Sequence, residues 1–449
     1  MTDMNNVNPR NLALKVLLSV ERDGAYSSIA LNNSIKENKL TSLDASFMSS
    51  LVYGVLERKL LLDYIIKQYS KIPLRKIELT TKMILRLGIL QLLFMDKIPE
   101  SAAVNESVKL AKKNKLQKSA GFINAVLRNI TRAEVKYTLP DKSKDKAYYL
   151  SIKYSCPLDI VKLWLKSYGG EVCENVLKSL SGRPKLTARV NTLKTTPEKL
   201  IDELKNEGVE AELSDIDENA LLLKNTGSVE NLKPFKDGKL YIQDISSQLC
   251  VKALNPKPRD IMLDVCSAPG GKSFTSAQYM NNRGKIFAFD IHPHKLKLIE
   301  TTAKRLGISV IVTDIRDAES DTRELPLADK VLCDVPCSGM GIMNRKPEIR
   351  YKDDILNSEL PKLQYRILRN SCKYTAVGGV LVYSTCTLNP EENNKNAERF
   401  LSEHPEFEPY KLDLNVNRAI DEPENMLTVF PGYNEADGFF ISAFKRVRL

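Results

Sequence analysis

The sequence predicts a multidomain chain in three parts: an all-α helical bundle, a small α+β module, and an α/β domain on a Rossmann-like parallel sheet. Three observations carry that reading. The 449 residues exceed what a single core ordinarily organises. Helix-spaced apolar residues fill the first third, and strand-like runs are confined to the remaining two thirds. From Gly238 onward short apolar strands alternate with helical stretches, the pattern of parallel βαβ units covered by helices on both faces.

The bundle spans residues 1–135. Asn8-Pro9 offers an N-cap and a first-turn proline, and Leu12, Val16, Leu17 and Val20 then recur at helical spacing. Phe47–Tyr64, Leu79–Phe94, Ala102–Ala111 and Gly121–Ile130 repeat the pattern. Of the chain's net charge of +11, residues 1–140 hold +10, from 22 Lys+Arg against 12 Asp+Glu. A locally basic segment is the footprint of a polyanion, and nucleic acid fits it better than a membrane surface. Lys109, Lys112, Lys113, Lys115 and Lys118 form the densest basic run. Alone it suits a solvated helix face equally well; the charge of the whole segment assigns it to RNA binding. Met83–Met95, the most apolar stretch, is broken by Arg86 and is shorter than the roughly 20 residues of a membrane span. Met1–Arg10 lacks the apolar centre of a secretory signal, so a cytoplasmic protein is expected.

Residues 136–146 read as a linker, with Pro140 among alternating Lys and Asp. Over 147–237, Leu186–Leu193 suits a strand, Thr196-Pro197-Glu198 a helix start, and Ala211–Lys224 two more strands. Arg183, Lys185 and Arg189 add positive charge there, for which RNA contact and a structural role both stand open.

Residues 238–449 carry the chemistry. The expected strands are Ile261–Val265, Lys285–Phe289, Ser309–Thr313, Lys330–Cys333 and Gly379–Ser384, and ligands of such sheets bind beyond the C-terminal strand ends. After the first strand, Cys266-Ser267-Ala268-Pro269-Gly270-Gly271-Lys272 leads into a helix near Ser273; paired glycines let backbone N–H groups approach a ligand. Asp290, Asp314 and Asp334 close the next three strands, with Asp290 placed to accept ribose hydroxyls. The lack of GxGxxG speaks against NAD. Eight cysteines without a metal-type CxxC pair, and only three histidines, predict reduced thiols and no metal site.

Cys156, Cys173, Cys250, Cys333 and Cys372 read as small buried hydrophobes. Cys337 and Cys386 differ, because each follows a strand at the cleft edge, and Asn389-Pro390-Glu391-Glu392 is expected to open a helix whose positive end supports the Cys386 thiolate. A thiolate suits one otherwise difficult methylation. C5 of cytosine is a poor nucleophile, but addition of sulfur at C6 makes it an enamine-like carbon that can take a methyl group. Enzymes that methylate exocyclic amines carry an aromatic residue where Cys337 stands, so that chemistry fits less well.

Taken together, Asp264–Lys272, Asp334–Gly339, Ser384–Thr387 and Tyr241–Gln248 resemble the motifs of the RNA (cytosine-5)-methyltransferases, over almost the whole chain. Gly121–Arg128 resembles the end of the NusB-like helical domain found in transcription antitermination factors, which favours the branch of the family that carries this extra domain. The resemblance implies S-adenosyl-L-methionine held by Cys266–Lys272, Asp290, Asp314 and Asp334. It also implies Cys386 as nucleophile, Cys337 in product release and Asp334 on the cytosine. The implied partner is 16S ribosomal RNA, with no membrane and no obligate protein partner. Asn344-Arg345-Lys346-Pro347 and Tyr351 depart from the paired arginines and the tryptophan of the family pattern; Arg345 and Lys346 remain expected RNA contacts. A tRNA cytosine-5 methyltransferase and a non-enzymatic ribosome assembly factor are the alternatives.

Overall fold

The computed structural model describes residues 8–182, 184–320, 323–352 and 355–448. The chain divides into two compact units, Met1–Gly182 with Met343–Asp353, and Arg183–Ile342 with Asp354–Leu449.

The first unit is helical. Its first helix, Pro9–Asp23, begins as the sequence predicts: Asn8 Oδ1 accepts from the amides of Arg10 and Asn11, and Leu12, Val16, Leu17 and Val20 are buried. Helices follow at Ser27–Glu37, Ser42–Glu57, Lys59–Tyr69, Leu79–Leu93, Glu100–Lys113 and Gln117–Arg132; the periodic run Phe47–Tyr64 is split at Arg58. Arg86, inside the apolar helix Leu79–Leu93, is 1% exposed and meets Asp63 through two bonds of 2.7 and 2.8 Å. A buried charge among leucines is tolerated only when paired in this way. Residue 147 opens the small module in the sequence reading, but the helices Lys146–Tyr154 and Leu158–Ser179 belong to the helical unit, and strands begin only at Leu186.

The segment Met343–Asp353 is also part of this unit. Arg350 is 1% exposed and donates to the carbonyls of Glu57, Leu180 and Met343. The Tyr351 phenol donates to the carbonyls of Leu56 and Ser155, both at 3.0 Å, and Glu348 accepts from the Ser27 amide and hydroxyl. The departure at Tyr351 is therefore explained by packing: its hydroxyl ties backbone carbonyls that an indole would meet differently.

In the second unit, β1 (Leu186–Val190), β2 (Glu210–Leu213), β3 (Ala220–Lys224) and β4 (Leu240–Ile242) form an antiparallel sheet in the order β2-β3-β1-β4. Thr196 caps the helix Pro197–Asn206, as its sequence predicts. Of the two roles open for Arg189, the structural one is observed. Its side chain is buried, with Gln248 Oε1 at 2.9 Å, Gln278 Oε1 at 3.0 Å and Asp217 at 3.4 Å, so it is an internal strut. Arg183 lies outside the described residues.

The larger sheet contains β5 (Ile261–Asp264), β6 (Lys285–Asp290), β7 (Ile311–Ile315), β8 (Ala328–Asp334), β9 (Thr375–Thr385), β10 (Phe407–Pro409), β11 (Met426–Val429) and β12 (Phe439–Arg446). Its order is β10-β12-β9-β8-β5-β6-β7, with β11 beside β12. The strands β5 to β9 are parallel, as the alternating pattern requires, whereas β12 joins β9 antiparallel, pairing Phe440 with Thr385. The chain leaves β5 toward β6 on one side and returns to β8 on the other, so the switch point of the sheet lies between β5 and β8. The predicted fold class, helical bundle, small α+β module and Rossmann-like domain, is the one observed. Among the described residues no helix is long and apolar enough to cross a membrane.

Candidate active site

A pocket opens beyond the C-terminal ends of β5 and β8, where the switch point predicts it. Its walls are Ile242, Gln243, Asp244, Ser247, Asp264, Cys266, Ser267, Ala268, Pro269, Gly271, Lys272 and Asp334. The loop after β5 is fixed by local bonds: Ser267 N donates to Phe289 O at 2.8 Å and Gly270 N to Ser267 O at 2.7 Å. Gly270 has φ +103°, and a Cβ there would strike the Phe274 ring, so the turn into the helix Gly271–Tyr279 needs glycine.

Two buried polar atoms of this pocket find no hydrogen-bond partner among the described residues: Asp264 Oδ1 and Gln243 Nε2. The other oxygen of Asp264 accepts from Ser273 Oγ at 2.6 Å, and Gln243 Oε1 accepts from Thr275 Oγ1 at 2.8 Å. Burial raises the Asp264 carboxyl to about 7, against the opposing bond from Ser273. One open acceptor and one open donor in a pocket at a helix N-terminus suit a ligand end that carries both an ammonium and a carboxylate, the amino-acid end of S-adenosylmethionine.

Lys272 and Asp334 form the polar floor. Lys272 Nζ lies 2.6 Å from Asp334 Oδ2 and 3.3 Å from Ser247 Oγ, while Asp334 Oδ1 accepts from Ser384 Oγ at 2.8 Å. Burial works against the ammonium, but Asp334 and its neighbours outweigh it and raise the lysine above its ordinary range. Asp290 and Asp314 do not line this pocket; they stand farther along the sheet edge. Asp290 Oδ1 accepts from His292 N at 2.9 Å with Lys295 Nζ at 3.8 Å, and Asp314 pairs with Arg323 at 3.0 Å.

The structure brings Cys337 and Cys386 together, with Sγ atoms 3.2 Å apart. Their loops are held by bonds on either side. Val335 N donates to Ser384 O at 3.1 Å, Gly341 N to Cys386 O at 3.0 Å, and the hydroxyls of Ser338 and Thr387 are 2.6 Å apart. A Cβ on Gly341 would overlap the Gly438 carbonyl. The contact with Cys386, burial and the Glu392 carboxylate together push the Cys337 thiol well above its ordinary range. The helix expected from Asn389 starts at Asn394 instead, because residues 390–393 form turns in which the Asn393 side chain bonds Thr385 Oγ1 and Thr387 O. A buried carboxylate, Glu392, rather than a first helical turn, comes after the Cys386 loop.

The remaining cysteines outside the pocket are buried, and burial raises Cys156, Cys250, Cys333 and Cys372 to about 12 and Cys173 to about 11, leaving poor nucleophiles. Cys372 does lie with His404 and Glu406, their ligand atoms within 4.8 Å of one another, a grouping that the sequence spacing conceals. Arg369, Lys373 and Arg446 surround that thiol with positive charge, a field that opposes a cation. In the helical unit, Lys109, Lys112, Lys113, Lys115 and Lys118 are all exposed, and Lys109 Nζ lies 2.8 Å from Glu106. Lys346 Nζ stands 5.5 Å from the centre of the Tyr26 ring, with Lys352 at 5.6 Å. Sequence reasoning missed Gln243, Asp244 and Ser247 as pocket walls and Glu392 as the anchor of the Cys337 loop.

Comparison with known proteins gives three family matches along the chain. The NusB family matches residues 7–132, the ferredoxin-like domain of the RsmF/B-like methyltransferases matches 157–230, and the family described as 16S rRNA methyltransferase RsmB/F matches 251–445. The chain is 37% identical to a probable ribosomal RNA small subunit methyltransferase B of Bacillus subtilis, over 99% of this chain and 100% of that protein. It is 33% identical to a protein of the same description from Synechocystis, over 98% and 100%. Among solved structures, the crystal structure of PH0851 matches with a TM-score of 0.81 at 25% identity, over 98% of this chain and 99% of that one.

Proposed function

The chain belongs to the 16S rRNA methyltransferase RsmB/F family, and from that premise we propose that it methylates C5 of a cytosine in 16S ribosomal RNA through a covalent bond between Cys386 and C6. The observation that carries the mechanism is the pair of thiols 3.2 Å apart beside the Lys272–Asp334 pocket. S-adenosylmethionine supplies the methyl group. Cys266–Lys272, Asp264 and Gln243 would hold it, Asp290 and Asp314 would take its ribose and base, and Asp334, itself bonded to Lys272 and Ser384, would orient the target cytosine. Cys386 sulfur bonds to C6, and the C5–C6 π electrons make C5 the nucleophile. After methylation a base takes the C5 proton, the electrons of that C–H bond restore the C5–C6 double bond, and the sulfur–C6 bond breaks to return the Cys386 thiolate. Cys337 is placed to exchange a proton with Cys386 sulfur as that bond forms and breaks. Flipping of the base out of an RNA stem-loop brings it to this site, and the site of action is the cytoplasm, where small subunits assemble. Bisulfite sequencing of ribosomal RNA from cells with and without the protein tests the reading: loss of one 5-methylcytosine from 16S RNA is expected, and an unchanged 16S pattern overturns it.

The orphaned Asp264 oxygen makes cofactor binding pH-dependent. Its carboxyl, raised to about 7, is neutral at lower pH and becomes an acceptor for the ligand's ammonium only as pH rises through that value. Calorimetric affinity for S-adenosylmethionine should increase about fivefold from pH 6 to pH 7. Asp264→Asn should bind weakly at both values, and a wild-type affinity flat across this window removes Asp264 from the site.

The lysine run carries the RNA prediction. If each of the five neutralises a phosphate, each replacement lowers the salt slope of binding by roughly 0.7–0.9. Replacing Lys109, Lys112, Lys113, Lys115 and Lys118 together without changing slope or affinity returns them to a solvated helix face.

A further inference from the structure

Glu392 is fully buried, and three donors converge on its carboxylate. Oε2 accepts from Ser338 N at 2.9 Å and from Gln364 Nε2 at 2.8 Å, and Oε1 accepts from Asn389 Nδ2 at 3.0 Å. The same Gln364 amide donates to Pro336 O at 2.9 Å. The peptide groups on both sides of Cys337 are thus bound, Pro336 O by Gln364 and Ser338 N by Glu392. Glu392 and Asn389 come from the turn that succeeds Cys386. The carboxylate therefore links the two cysteine loops without lining the cofactor pocket.

We propose that Glu392 is a positioning residue for the reaction: with Gln364 it holds the peptide frame of Cys337 so that its sulfur stays against Cys386. This rests on the division of labour between the two cysteines given above. Three donors need an acceptor with no hydrogens of its own, and a carboxylate is the one side-chain group of this size that meets all of them. A glutamine at 392 points its own N–H₂ at one of them, and a donor facing a donor moves the loop.

The experiment uses the full-length protein in four forms: wild type, Cys337→Ala, Glu392→Gln and the double variant. Methyl turnover, trapped protein–RNA adduct on denaturing gels, S-adenosylmethionine affinity and melting temperature are measured for each. Glu392→Gln is expected to keep cofactor affinity within about twofold, to lose about tenfold or more in turnover, and to accumulate adduct. In the Cys337→Ala background it is expected to add less than about twofold, since residues acting through one another are not additive. Equal losses with and without Cys337, or no adduct in Glu392→Gln while Cys337→Ala accumulates it, overturn the proposal. If Glu392→Gln does not fold, Gln364→Met, which removes the hold on Pro336 O, takes its place; wild-type turnover without adduct then overturns it. Should Cys337→Ala itself leave no adduct, the cysteine assignment fails instead, and Glu392 is judged by turnover alone, where equal losses in both backgrounds count against it.

Discussion

Cys386→Ala is expected to lose methyl transfer by on the order of 10⁴-fold or more, the scale at which removal of a covalent nucleophile leaves only binding and orientation. The cause is electronic. Without a bond from sulfur to C6, C5 stays part of a conjugated, electron-poor ring and has no lone-pair character to direct at the methyl group. The other thiols are poor substitutes: Cys250, Cys333 and Cys372 are buried and held at about 12, and Cys337, 3.2 Å away, is pushed well above the ordinary thiol range. Lys272, Asp334 and the Gly270–Gly271 turn are untouched, so S-adenosylmethionine affinity should stay near wild type and separate lost chemistry from lost binding. Radiolabelled methyl transfer to 16S RNA, run beside calorimetry, checks both. Activity within tenfold of wild type would show that attack does not come from Cys386.

Much of this was legible in the sequence, for reasons that differ by element. The strands β5 to β9 announce themselves through short apolar runs, four of which end at or beside Asp264, Asp290, Asp314 and Asp334. The antiparallel partner β12 carries no such cue, since its register against β9 is a contact between residues more than 50 positions apart. The loop 266–272 and the two cysteines could be found because their side-chain chemistry is unusual wherever it stands. Gln243, Gln364 and Glu392 could not: polar residues at 0–6% exposure look like surface until the donors that satisfy them are in place. Arg189 and Arg350 show the same limit with charge. Charge alone left the role of Arg189 open and gave none for Arg350, yet one meets Gln248, Gln278 and Asp217 and the other backbone carbonyls from three separate segments. The helix expected at Asn389 begins at Asn394 because the Asn393 side chain binds Thr385 and Thr387 rather than extending a helical turn.

Cys337→Ala is expected to produce the opposite phenotype from Cys386→Ala: attack at C6 proceeds, and release fails. Cys337 sulfur, 3.2 Å from Cys386 sulfur, is placed to share a proton with it, and its thiol is held well above the ordinary range by that contact, by burial and by Glu392. Alanine leaves the departing Cys386 sulfur without this partner in a half-buried site, so the sulfur–C6 bond persists after the methyl group has moved. Protein linked to RNA should accumulate to a large fraction of the enzyme, while turnover falls by about 10²-fold or more, the range for losing a positioned proton-transfer group. A first round of labelled methyl groups should still appear, on RNA that remains bound. Denaturing gels with labelled RNA and labelled S-adenosylmethionine read both events in one lane. Adduct that persists in Cys386→Ala and is absent in Cys337→Ala reverses the assignment, making the Pro336-Cys337 sulfur the nucleophile and Cys386 the group that serves it.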